Sequence, residues 1–215
     1  MASNTGPSAR VFCEAFIASY NDIRNSFLSS ERWKEIWHRW NDVMLTRPDE
    51  DFRLPPGVEV SVLTKVALKL GLRYPSERGS RQPMTIDAIF VKPTKNRDPF
   101  PIRVAIEHEQ DWTGFDCEAR KLLQIRCPLK VGITYSDESP QGKKYRERVA
   151  KNIQDNFEEI RPVIAEAAQT EYLFLIGAES EDKEISCWYS LDFQARTGPR
   201  NRSFQPVGQI KRIAA

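Results

Sequence analysis

Residues 101–110 read PIRVAIEHEQ, and residues 84–92, one loop upstream, read MTIDAIFVK. Alternation over 102–109 sends Ile102, Val104, Ile106 and His108 to one face of a strand. Arg103, Ala105, Glu107 and Glu109 then face the other way. In the upstream run, Asp87 interrupts Ile86, Ala88, Ile89, Phe90 and Val91, where a charge needs a reason. The connecting KPTKNRDPFP is long enough to turn the chain back. The two strands are therefore expected to pair antiparallel, with Asp87 near the middle of its strand and within reach of Glu107.

Outward from this pair, GFDCEARKLLQIRCP (114–128) sets Phe115, Ala119, Leu122 and Leu123 at helical spacing, and LKVGITYSD (129–137) reads as a third strand. A long helix is expected over Lys143–Ala168, where Tyr145, Val149, Ile153, Phe157, Ile160 and Ile164 keep step and Pro162 kinks or divides it. TEYLFLIGA and ISCWYSLDFQ follow as two strands joined by the acidic turn ESEDKE. Upstream, residues 9–29 are amphipathic at helical spacing. Ser29 or Ser30 is placed to cap a second helix, in which Trp33, Ile36, Trp37, Trp40 and Met44 form a core seam rather than a surface for stacking bases. Val58–Leu70 reads as a third helix closed by Gly71.

This order predicts an α/β fold: a central mixed β-sheet flanked by helices, with a helical N-terminal extension. Residues 1–8 are expected to form a disordered tail and 9–50 a helical part packed on the core. The α/β core spans 51–195, and a basic tail, 196–215, runs over the surface.

Apolar residues make up 40 % and charged residues 29 % of the 215, the balance of a soluble globular chain rather than a disordered one. No apolar run is long enough to span a bilayer, and the first residues lack a basic stretch leading into an apolar segment. A cytoplasmic protein without membrane contact is the expectation. The four cysteines are scattered with no CxxC pair, which argues for free buried thiols in a reducing compartment rather than a zinc site. Net charge is +2, so any nucleic-acid-binding surface must be local.

Two carboxylates on one face of an apolar strand sit about 6.5–7 Å apart at the backbone and repel one another. A hard divalent cation resolves the conflict, because Mg²⁺ takes one or two carboxylates plus water and phosphate oxygens. An aspartate on one strand, a turn, a carboxylate-x-carboxylate ending the next, then a helix and a strand resembles the PD-(D/E)XK nuclease superfamily. Here the matching pieces are Ile86-Asp87-Ala88, Ile106-Glu107-His108-Glu109, the Glu118–Gln124 helix and the Lys130–Tyr135 strand, within residues 72–136.

The resemblance implies a restriction-endonuclease-like core and a Mg²⁺- or Mn²⁺-dependent endonuclease acting on DNA. Asp87 and Glu107 would bind metal, and Glu109 would position or activate the attacking water. Glu109 stands where the superfamily usually has lysine; Lys121 on the following helix is the candidate substitute cation, with Arg103 behind it. Glu35 or Glu59 would supply the acid that the family often carries on a helix before the first strand. Arg73, Arg78 and Arg81 in the basic turn, with the basic tail, would contact phosphates, and Gln124 is a candidate substrate-side residue. Sequence-reading enzymes of this fold often act as dimers, so the resemblance also allows a homodimer. His108 is assigned to the opposite face as a structural residue.

Four other readings compete. Glu107 and Glu109 could be a solvated strand edge paired with Arg103 and Arg126. A catalytically inactive protein of the same fold could bind nucleic acid or a protein partner. A site for a small phosphorylated metabolite is opposed by the lack of a glycine-rich phosphate loop, and a serine hydrolase by the lack of GxSxG.

Overall fold

The structure, a computed structural model, describes residues 6–27, 30–75, 86–93, 102–110, 114–161, 169–181, 183–199 and 203–209. Four helices come first: α1 (Ala9–Asn25), α2 (Ser30–His38), α3 (Trp40–Leu45) and α4 (Val62–Lys69). Strands β1 (Ala88–Val91) and β2 (Ile102–Glu109) follow, then α5 (Phe115–Leu123), β3 (Leu129–Asp137) and α6 (Pro140–Ile160). The described chain closes with β4 (Glu171–Glu179), β5 (Ile185–Gln194) and β6 (Gln205–Gln209). The strands lie side by side in sequence order in one six-stranded sheet. β2, β3 and β4 run parallel, while β1 and the β5–β6 side pair antiparallel. The chain is thus α/β, with a mixed sheet flanked by helices.

Parallel neighbours need crossovers, and α5 and α6 supply them. Both lie on one face, where Phe115, Leu122, Val149, Ile153 and Phe157 pack with Ala105, Tyr172, Phe174 and Phe193. The four N-terminal helices cover the other face, burying Phe12, Phe16, Tyr20, Trp33, Trp40 and Val66 against Phe90, Ile106, Val131, Ile133, Tyr135 and Trp188. Side chains alternate between the two cores along β2 and β3, as period-two geometry requires. The tryptophans at 33, 37 and 40 are core, with Trp37 and Trp40 stacked at 5.1 Å between ring centroids.

Several elements differ in extent from expectation. The second helix breaks at Arg39, and Ser29 lies outside the described residues. α4 starts only at Val62, where Ser61 accepts from the Thr64 backbone N–H, and it ends in a glycine cap. There Gly71 takes φ +63° and the Leu72 N–H donates to the Ala67 carbonyl. α4 packs on α1, so the helical layer extends past residue 50. α6 begins with Pro140 in its first turn under a Ser139 cap and ends at Ile160, two residues before Pro162, which disfavours helix in the residue preceding it. Residues 162–168 lie outside the described set.

The expected C-terminal tail instead contributes β6, which pairs with β5 over Cys187–Ser190. Pro206 is tolerated there because an edge strand needs fewer donors, and Gly208 leaves room for Ile17. Cys13, Cys127 and Cys187 are buried free thiols, but Cys117 is exposed on α5. No described helix is long and apolar enough to cross a membrane.

Gly132 on β3 faces α5. A Cβ there would lie 2.9 Å from Phe115 Cζ and 2.8 Å from Phe174 Cδ1, so the two rings occupy the space a side chain would need. Gly132→Ala is expected to cost about 1–3 kcal/mol by overpacking. The loss would be read as a lower urea midpoint with an unchanged slope.

Candidate metal centre

Asp87 lies immediately before β1 rather than in mid-strand. The antiparallel register pairs Ala88 with Ile106, so one step further along the pair Asp87 stands beside Glu107. Its Oδ2 accepts from the His108 backbone N–H at 2.8 Å, which fixes the carboxylate against β2. Glu107 projects from β2 towards α5 and is fully buried, at 0 % exposure. With the acids ionised, neither Glu107 carboxylate oxygen has a hydrogen-bond donor among the described residues. Burial pushes the Glu107 carboxyl up to about 9, with Asp87 and Glu118 adding repulsion and Lys121 opposing it. Burial also raises Asp87, partly offset by the His108 N–H. Both shifts have the same sense, since two adjacent carboxylates disfavour each other's ionisation.

α5 brings the charges that complete the site. Its Glu118 and Lys121 are three residues apart, on one helical face, and Lys121 Nζ donates to Glu118 Oε2 at 2.5 Å. Glu118 holds the Lys121 ammonium above its ordinary range, and Glu107 and Asp87 add to the effect. α5 is itself tied to the sheet by Lys130. This wholly buried side chain donates to the Leu123 carbonyl at 3.1 Å and to the Tyr172 hydroxyl at 3.0 Å. Burial lowers the Lys130 ammonium to about 7.

Glu109 follows a different path. Its carboxylate lies over Gly114, where a Cβ would come within 3.3 Å of Oε2. It also lines a cleft of about 570 Å³ beyond the carboxyl ends of β2, β3 and β4, with Trp37, Gln110, Tyr135, Asp137 and Glu179. His108 is on the opposite face, as expected. Its Nε2 lies 3.0 Å from the Tyr135 hydroxyl, and burial drops its imidazole to about 3, so it is neutral.

Glu35 and Glu59 are both exposed, and both belong to the layer on the far side of the sheet from Glu107. The third acid near the pair is instead Glu118, on the helix after β2. Gln124 caps the C-terminus of α5 and is exposed. Arg73 bridges to Val91 through its backbone, leaving its side chain on the surface. Arg78 and Arg81 lie outside the described residues. Arg103 is buried on β2, four residues before Glu107. Sequence reading passed over Glu118 and Lys130. For Lys130 the signal was present, since a charge inside LKVGITYSD is as anomalous as Asp87 in its own run.

Asp87 and Glu107 fit a divalent cation by their chemistry. Two carboxylates stand side by side, one of them fully buried with no donor to either oxygen among the described residues, and a cation between them would relieve the repulsion. Among the described residues, no group of three or more His, Cys, Asp or Glu side chains is assembled as a full ligand set. A cation held here would therefore draw its remaining ligands from water or substrate.

No family model matches the chain. No curated protein matches it either. Among solved structures, the central domain of yeast acetyl-CoA carboxylase is similar over 89 % of this chain and 34 % of that one, with 11 % identity and a TM-score of 0.37. The chain spans about a third of the length of that structure.

Proposed function

We propose that the chain is a divalent-metal-dependent nuclease that hydrolyses phosphodiester bonds in DNA, using Mg²⁺ or Mn²⁺. The observation that carries this reading is Glu107, a fully buried carboxylate beside Asp87 with no donor for either oxygen. An apolar or amide side chain would fit such a position at lower cost, so the acid is best explained by a cation. Asp87 and Glu107 would hold it. Bound there, it would supply a water of lowered pKa and charge for the phosphate.

The chain's own residues have separate tasks. The His108 N–H aims Asp87 at its neighbour and partly offsets the burial that disfavours its ionised form. Lys121, charged at neutral pH, offers the ammonium that could face the developing phosphate charge. Lys130 holds α5, and with it Lys121, at a fixed height above the sheet. Arg73 would contact the DNA backbone from the surface, with nucleic acid as the partner. The buried free thiols fit a reducing cytoplasm.

Two observations favour a catalytically inactive protein that uses the same fold to bind nucleic acid or a protein. Lys121 is already paired with Glu118, and Glu109 stands where a lysine would be expected.

The deciding experiment is cleavage of supercoiled plasmid and single-stranded DNA with Mg²⁺ or Mn²⁺. Asp87→Ala and Glu107→Ala are each expected to reduce cutting by about a thousandfold. A folded wild type that cuts neither substrate, and whose metal binding does not depend on these acids, would rule the nuclease out.

A further inference from the structure

A buried polar atom on β3 lies beside this site without a partner. Thr134, on β3, is 0 % exposed, and its hydroxyl has no hydrogen-bond partner among the described residues. Leaving a buried hydroxyl in that state is costly, so it normally meets a group or an ordered water. The register pairs Glu109 with Thr134 and Glu107 with Gly132. Along β3, Val131, Ile133 and Tyr135 enter the core under the N-terminal helices. Lys130 and Gly132 instead meet Leu123, Tyr172, Phe115 and Phe174 on the α5 side. Alternation therefore puts Thr134 on the α5 side too, the side to which Glu107 points.

Thr134 and Glu107 are thus diagonal neighbours on adjacent strands and one face. Both are fully buried, and the orphaned atoms of both stand on that face. A threonine hydroxyl can donate one hydrogen bond and accept others, whereas an ionised carboxylate only accepts. The two side chains are therefore complementary to a hydrated cation: Glu107 answers its charge, and Thr134 can bond a water that it carries. Valine has nearly the same shape and would fill the position without an orphaned hydroxyl.

We infer that Thr134 is a positioning residue of the Asp87–Glu107 centre, its hydroxyl holding a cation-bound water. The inference rests on the metal-site reading above, and the experiment separates the two. Mn²⁺ alone is titrated calorimetrically into wild type, Thr134→Val, Thr134→Ser and Asp87→Ala, and metal-free thermal midpoints are recorded beside each titration. Thr134→Val is expected to weaken Mn²⁺ binding about tenfold, the scale found when a residue bonded to a metal ligand is lost. Thr134→Ser, which keeps the hydroxyl, should bind within about twofold of wild type under the same rule. The metal-free midpoint of Thr134→Val should not fall, because no bond is lost in that state. Mn²⁺ binding that Asp87→Ala abolishes and Thr134→Val leaves unchanged would overturn this inference alone. Wild type that binds no Mn²⁺ would overturn the metal site and this inference together. If Thr134→Val does not fold, Thr134→Ala replaces it under the same criteria.

Discussion

Glu107→Gln should make the metal-free protein more stable at pH 8 while reducing the proposed metal-dependent cutting by about a thousandfold. Glu107 ionises with difficulty because it is buried beside Asp87 with no donor to its oxygens. Its carboxyl rises from an ordinary 4.5 to about 9 on folding. Over that range the folded chain binds more protons than the unfolded chain, so stability is full below about pH 4.5 and declines as pH rises towards 9. Asp87 is raised as well and adds to the decline in the same direction. Glutamine keeps the shape without the charge and removes the Glu107 share of that slope. The expected gain near pH 8 is roughly 3 kcal/mol, because the unfolded chain ionises Glu107 there while the fold keeps it protonated, with little difference at pH 4. Urea midpoints at pH 4, 6 and 8 would measure it. Adding Mn²⁺ should reverse the order at pH 8, because wild type gains binding energy that the amide cannot. A variant less stable than wild type at pH 8 without metal would mean that Glu107 is satisfied in the metal-free fold.

The central part of the fold was legible because its pattern is dense. β2, α5, β3, β4 and β5 all fall where alternation or helical spacing placed them. Such runs bury one or both faces, so composition and period report the same constraint. The ends of elements were less legible. Arg39 breaks a helix whose tryptophans stay in step across the break, so periodicity alone gave no warning. β6 was hidden because a short edge strand containing Pro206 and Gly208 has the composition of a loop, and only its pairing with β5 makes it a strand.

The Asp87–Glu107 contact was legible for a different reason. Charge inside an apolar run is costly, and an antiparallel return places the two anomalies together. Glu118 was not, because an acid beside a lysine on an amphipathic helix looks like any solvated pair. Its relevance comes from the crossover, which lays α5 over β2. Thr134 carried no signal at all, since threonine is an ordinary strand residue.

Trp40→Ala is expected to cost about 3–5 kcal/mol, the range for truncating a fully buried tryptophan. The ring is fully buried, stacked on Trp37 and edge-on to Tyr20 and Trp33 at 5.7 and 5.6 Å. Its Nε1–H donates to the Tyr135 hydroxyl at 2.5 Å. Tyr135 reaches His108 Nε2, and the His108 N–H holds Asp87. The α2–α3 layer is thereby joined to the strand that carries Glu107, and α1 to α4 share one apolar core with the sheet. Trp40→Phe keeps most of the ring packing and loses the hydrogen bond, so about 1 kcal/mol plus a small packing term is expected. Because the core is shared, helix signal and tryptophan fluorescence should be lost together in urea, in the variants as in wild type. An early fluorescence transition that leaves the sheet intact would instead mark residues 9–72 as a separately folding unit.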